Sequence, residues 1–217
     1  GLLVFTPAAD ANGAAYANFT FQVQDDGGVA NGGFDTDATP NTITIDVTPV
    51  NDAPSGTDTT VTTLEDTAHV FTAANFGFTD VNDTPANTFA SVIITTLPAN
   101  GVLTLAGVPV LAGAVIAAGN IGQLVFTPAA NANGAAYGSF TFQVVDNGGV
   151  ANGGQDTDQT ANTMTIAVTP VNDGPAGTDT TVTAFEDVPY SLTLANFGFT
   201  DPNDTPAYTE ALAELDT

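Results

Sequence analysis

The segment Ser139–Val145, SFTFQVV, alternates Phe140, Phe142 and Val144 with Ser139, Thr141 and Gln143. On an extended backbone a period of two sends each set to one face, so the stretch predicts a β-strand with one buried side. Residues 163–168, TMTIAV, repeat the pattern with Met164, Ile166 and Val168 set against threonines and an alanine. Further strands are predicted at 59–64 (TTVTTL), 69–72 (HVFT), 89–97 (FASVIITTL), 101–105 (GVLTL) and 123–127 (QLVFT), separated by Asn-Gly, Gly-Gly and Asp-Thr-Pro turn clusters. About seven strands in roughly 120 residues predict an all-β fold of antiparallel β-sandwich type. A helical period is absent except at 208–217, YTEALAELDT, which allows a turn or two of helix.

The sequence also repeats itself. LVFTPAADANGAAY begins at Leu3 and LVFTPAANANGAAY at Leu124, 121 residues later, and VTPVNDAPSGTD at 47–58 returns as VTPVNDGPAGTD at 168–179. The same offset links Asn51 to Asn172, Glu65 to Glu186 and Asp80 to Asp201. Such a period is too long for a solenoid turn and suits an independently folding domain. With the joint at Val-Asn-Asp-x-Pro, residues 1–52 are the last part of one repeat, 53–173 a complete repeat, and 174–217 the beginning of the next. The opening GLLVFTP reads as the interior of a longer chain.

Composition narrows the chemistry. The 217 residues hold 24 Asp and Glu, one His, and neither Lys nor Arg, for a formal charge of −24. Nucleic acid and anionic membranes are bound through basic clusters, so neither is an expected partner. Carboxylates within a Debye length of about 8 Å at physiological salt repel one another unless a cation intervenes. No cysteine is present, which leaves hard oxygen ligands and points to Ca2+ before zinc. No secretion signal, lipidation motif or apolar run long enough to span a bilayer is found.

Acidic and amide side chains gather in places that recur at the repeat offset. Asn51 and Asp52 match Asn172 and Asp173; Glu65 and Asp66 match Glu186 and Asp187; Asp80, Asn82 and Asp83 match Asp201, Asn203 and Asp204. Calcium takes six to eight oxygens at roughly 2.3 to 2.6 Å, and Asp-x-Asn-Asp runs in loops can supply them. Those fourteen residues are the candidate metal ligands. Asp and Asn also initiate turns without any ion, and the Asp35–Asp37 segment, DTD, reads better that way.

The combination V-x-V-N-D-x-P, E-D-T a dozen residues on, an Asp-rich turn, V-F-T-P-A-A-x-x-N-G and F-x-F-x-V-x-D resembles the cadherin-like tandem repeats of large bacterial surface proteins and adhesins. The resemblance spans essentially the whole chain. It implies sandwiches strung end to end with calcium at their junctions. Asn172 and Asp173 would be linker ligands, Glu65 would come from the preceding unit, and Asp201, Asn203 and Asp204 from the following one. At the other joint the set would be Asn51, Asp52, Asp80, Asn82 and Asp83. The Asp-x-Glu ligand motif of true cadherins has no clear match here; the nearest segments are DANG at 10–13 and NANG at 131–134.

No nucleophile motif, phosphate loop or thiol chemistry is visible, and the expectation is a non-enzymatic protein. Tyr16 and Tyr137 occupy equivalent places, as core residues would, and His69 is replaced by Tyr190 in the next repeat, which argues against a chemical role. The expected function is a calcium-stiffened spacer of an extracellular bacterial surface protein, its partners being neighbouring repeats of the same chain. The alternative is a self-assembling extracellular fibre or sheath, in which copies of the chain exchange strands.

Overall fold

The chain is all-β in the computed structural model, which describes residues 2–204; the helical expectation at 208–217 lies outside the described residues. Two compact units are present. One comprises the described residues up to Pro54 together with Asp80–Thr88 and Asp146–Thr157; the other comprises Ser55–Thr79, Phe89–Val145 and the described residues from Asp158 onward. Among the described residues no helix is long and apolar enough to cross a membrane.

In the first unit, β1 (Gly13–Phe21) and β2 (Asn41–Val47) form an antiparallel pair in which Ala17 faces Ile45 and Phe19 faces Ile43. The register shifts between Gly13 and Ala17, where Ala15 adopts a φ of 51° and its N–H donates to the Asp46 carboxylate at 2.6 Å. A carboxylate thus satisfies a backbone donor that the bulge takes out of the ladder.

Among the described residues the second unit contains two sheets. The first has the order β3–β11–β10–β5–β8, from β3 (Thr59–Leu64), β5 (Phe89–Ile94), β8 (Ala114–Ala117), β10 (Gly134–Asp146) and β11 (Asn162–Thr169). The second has the order β4–β9–β6–β7, from β4 (His69–Val70), β6 (Val102–Leu105), β7 (Val108–Pro109) and β9 (Leu124–Thr127). The β10–β11 register, with Gly138 opposite Ile166 and Phe140 opposite Met164, is that of β1–β2 advanced by 121 residues, including the shift after Gly134.

The alternation read at Ser139–Val145 is the burial pattern of β10: Phe140, Phe142 and Val144 are buried, while Ser139 is exposed and Thr141 and Gln143 are half-buried. Met164, Ile166 and Val168 of β11 join them. Both sheets feed one apolar cluster. Phe140 meets Phe71, just beyond β4, with ring centroids 5.6 Å apart at 82°, and Phe142 meets Phe76 at 4.9 Å and 89°. Edge-to-face packing of this kind adds about 0.5 to 1.5 kcal/mol per pair beyond area burial. His69 lies in β4 edge-on to Phe71 at 4.9 Å, and its burial holds the imidazole below its ordinary pKa.

One pairing departs from the antiparallel expectation. β3 runs parallel to β11, Thr59 beside Met164 through Leu64 beside Thr169. A parallel pair requires a long crossover, and residues 65–161, which carry most of both sheets, provide it. β7 and β8 were not predicted, because GVPVLAGAVIA has no polar partner in its alternation; the 69–72 strand shrinks to His69–Val70.

Truncating Phe142, fully buried, to Ala should cost about 3 to 5 kcal/mol in urea denaturation, whereas Phe34→Ala at an exposed loop position should change stability by less than about 0.5 kcal/mol.

Candidate metal centre

Glu65 immediately follows β3, and its placement is set by that strand: its N–H donates to the Thr169 carbonyl at 2.9 Å, prolonging the β3–β11 ladder by one bond. The side chain turns inward and is 3% exposed. One carboxylate oxygen accepts the Val171 N–H at 2.5 Å, and the other accepts the Asn133 amide at 3.2 Å. Asp173 and Asp204 complete the grouping. The backbone N–H of Asp173 donates to both oxygens of Asp204 at 3.2 Å. One ligand oxygen from each of Glu65, Asp173 and Asp204 lies within 4.8 Å of the others. That is the spacing of oxygens sharing one cation sphere, since two ligands at 2.3 to 2.6 Å on opposite sides of an ion stand roughly 5 Å apart.

Electrostatics in the grouping are unfavourable without a counter-ion. Asp204 is 6% exposed, and burial pushes its carboxyl above the ordinary range against the pull of the Asp173 N–H; Asp201 and Asp173 push it further. The second carboxylate oxygen of Asp173 is buried with no hydrogen-bond partner. A buried acceptor left without a donor costs about 1 to 3 kcal/mol, more when charged, and a hard cation is a group that would satisfy it.

The first unit holds Asp52, Asp80 and Asp83, the counterparts of Asp173, Asp201 and Asp204 121 residues earlier. The Asp52 N–H donates to Asp83 at 3.0 Å. Burial raises the Asp52 carboxyl, followed in effect by Asp10, Asp83 and Asp80. One oxygen of Asp80 accepts the Asn87 N–H, while the other is buried without a partner. Asp10, Asp52 and Asp83 line a cleft of about 250 Å³ with Asn12 and Asn82.

Asp201 adjoins Asp204, whose carboxyl it raises, while the other predicted residues stand apart from these groupings. Asn51 is engaged in loop packing: its amide donates to Asp146 at 3.1 Å and to the Gln155 carbonyl at 2.6 Å, and its own carbonyl oxygen accepts from Asn87. Gly148 lies so close that a Cβ there would overlap the Asn51 amide. Asp66, in a left-handed turn with φ of 58°, accepts the Asn131 N–H at 3.0 Å. Asn172 is exposed and donates to the Asp173 carbonyl at 3.0 Å. Asn203, Glu186 and Asp187 are exposed, and Asp201 is half-buried.

Three residues that sequence reasoning did not select belong to the picture. Asp10 acts on Asp52, and Asn133 holds Glu65; both lie in the DANG and NANG segments, the nearest matches to the missing acidic motif. Asp146, at the end of F-x-F-x-V-x-D, is 3% exposed. Burial raises its carboxyl against the Gly148 N–H and the Asn51 amide, with Asp80 and Asp156 adding to the rise. Compared with known proteins, the chain matches no family model, no curated protein and no solved structure.

Asp52, Asp146 and Asp204 all bind a proton more readily folded than unfolded, where the carboxyl stays near 3.8. Stability conferred by a raised carboxyl is present below the unfolded value and is lost as pH rises through the folded one. In metal-free buffer the melting temperature should therefore be higher at about pH 4 than at about pH 8. Saturating Ca2+, which binds the ionised form, should reverse that order in a calorimetric series.

Proposed function

We propose that this chain is a stretch of cadherin-like β-sandwich repeats from an extracellular bacterial surface protein or adhesin, acting as a spacer whose joints are stiffened by Ca2+. The observation that carries the reading is the convergence of Glu65, Asp173 and Asp204 at the V-N-D-G-P joint, two of them buried, in a chain without a single Lys or Arg. Glu65 comes from the end of β3, Asp173 from the segment after β11, and Asp204 from a loop 31 positions further along the chain. An ion held by all three ties the base of one repeat to the beginning of the next. The shared register of β1–β2 and β10–β11 supports the repeat reading, and the single core fed by two sheets supports the sandwich.

Extracellular calcium modules bind at about 10⁻⁴ to 10⁻³ M, a range met outside cells. At 100 times its dissociation constant a bound ion stabilises the fold by about 2.7 kcal/mol, a large part of a domain's margin. The task so performed is mechanical: a hinge bearing mutually repelling carboxylates becomes a stiff, protected connection. No catalytic step is assigned to any residue.

Calorimetric titration of the chain with CaCl2, followed by melting with and without EGTA, tests the reading. Saturating Ca2+ should raise the melting temperature, and Glu65→Gln or Asp204→Asn should weaken binding by about tenfold, because ligand charge sets affinity in such sites. Glu186→Gln, at an exposed position outside the grouping, should leave that affinity unchanged. Absence of calcium binding, or equal loss with Glu186→Gln, would overturn the assignment.

A further inference from the structure

The compact unit that contains the described residues up to Pro54 also contains Asp80–Thr88 and Asp146–Thr157. In the repeat division, residues up to 52 end one repeat, whereas those two segments belong to the next. Boundaries between independently folding domains ordinarily fall in exposed linkers crossed by few contacts. The V-N-D-A-P boundary does not: Asn51, Asp52 and Ala53 are half-buried and Pro54 is buried.

Asn51 carries the connection. Its side-chain amide donates to both oxygens of Asp146, at 3.1 and 3.3 Å, and to the Gln155 carbonyl at 2.6 Å. Its amide oxygen accepts from the Asn87 side chain, and its backbone carbonyl accepts the Gln155 N–H at 2.9 Å. Donor and acceptor are both used, a combination that neither a carboxylate nor an aliphatic group of the same size reproduces. Asp146, 3% exposed, is fixed in turn by the Gly148 N–H at 2.7 Å. The loop is also shaped for this occupant. A Cβ on Gly148 would stand 1.7 Å from the Asn51 amide oxygen, and one on Gly154 would stand 3.1 Å from the Asn51 Cβ.

We infer that Asn51, seated in the 146–155 loop, is an inter-repeat latch that ties the end of one repeat to the next without a metal ion. The inference rests on the repeat reading proposed above and not on its calcium. None of Asn51, Asn87 and Asp146 lines the cleft that holds Asp10, Asp52 and Asp83, so latch and acidic cleft use different side chains. Every bond of the latch runs from an N–H to an oxygen, and a neutral amide shields Asp146 where a cation would otherwise be required. The receiving half recurs at the repeat offset: Asp25 and Gly27 form the same turn, the Gly27 N–H donating to Asp25 at 2.8 Å. At the other joint Asn172 is exposed and donates to the adjacent Asp173 carbonyl, and the counterpart of Asn87, Tyr208, lies outside the described residues.

Amide hydrogen exchange of the chain in EGTA, read by NMR at the Gln155 N–H, is the test, because that proton bridges residue 51 and the following repeat. It should be protected without calcium. Asn51→Asp keeps the size of the side chain, removes its donor and sets a like charge against Asp146, so exchange at Gln155 should speed up by about tenfold or more. Gly148→Ala leaves Asn51 in place but crowds its amide, and should have the same effect. Amides along β10 and β11 should keep their protection in both variants. Asn172→Asp, the same change at the other joint, should leave Gln155 unaltered. Protection of Gln155 only in saturating Ca2+ would overturn the inference, as would unchanged exchange in Asn51→Asp or an equal acceleration in Asn172→Asp. Failure of calcium to bind bears on the proposed function alone.

Discussion

Every buried carboxylate in this protein has to be accommodated without a cationic side chain, and amide N–H groups take that part. Asp158, buried, accepts the Gly56 N–H at 2.8 Å, the Thr160 N–H at 3.0 Å and the Asn162 amide at 2.7 Å. Asp146 is held by Gly148 and Asn51, and Glu65 by Val171 and Asn133. Such donors replace lost hydration, but they do not cancel charge. Where carboxylates stand singly, as at Asp158, hydrogen bonds suffice. Where they converge, as at Glu65, Asp173 and Asp204, repulsion remains and neutral donors cannot remove it.

The fold is organised around that constraint. Its core is centred on the uncharged stretch 84–145, whose Phe140 and Phe142 pack edge-on against Phe71 and Phe76 from the segment before it. The carboxylates lie in the segments before and after it, mostly in turns and in the chain between strands. Apolar burial and electrostatic strain are thereby kept apart, which lets a core form without any ion pair. The arrangement also concentrates negative charge where a divalent ion would act on it most strongly.

Legibility in the sequence followed physical simplicity. β10 and β11 were readable because half-buried strands impose a period of two, and Phe140, Met164 and their neighbours obey it. β7 and β8 were not, since the Gly and Ala around Pro109 carry no alternation to detect. The parallel β3–β11 pair was equally hidden: TTVTTL alternates alike whichever way its neighbour runs. Within the candidate site, recurrence picks out Glu65, Asp173 and Asp204, yet it picks out Asn51 and Asp66 as well, which the fold uses to fasten loops. Asn133 is not legible in this way, because an amide in a turn looks the same whether or not it holds a distant carboxylate.

By itself the sequence determined the 121-residue period, the strand character of the apolar runs and the absence of any internal counter-charge, because each is a property of order and composition along the chain. Only the tertiary structure decided which acidic groups meet. Residues 65, 173 and 204 are brought together by a crossover, a strand register and a loop, and each depends on contacts between segments far apart in sequence. Recurrence at a fixed offset can nominate a carboxylate. The backbone's path through space determines whether its neighbour is water, an amide or another carboxylate.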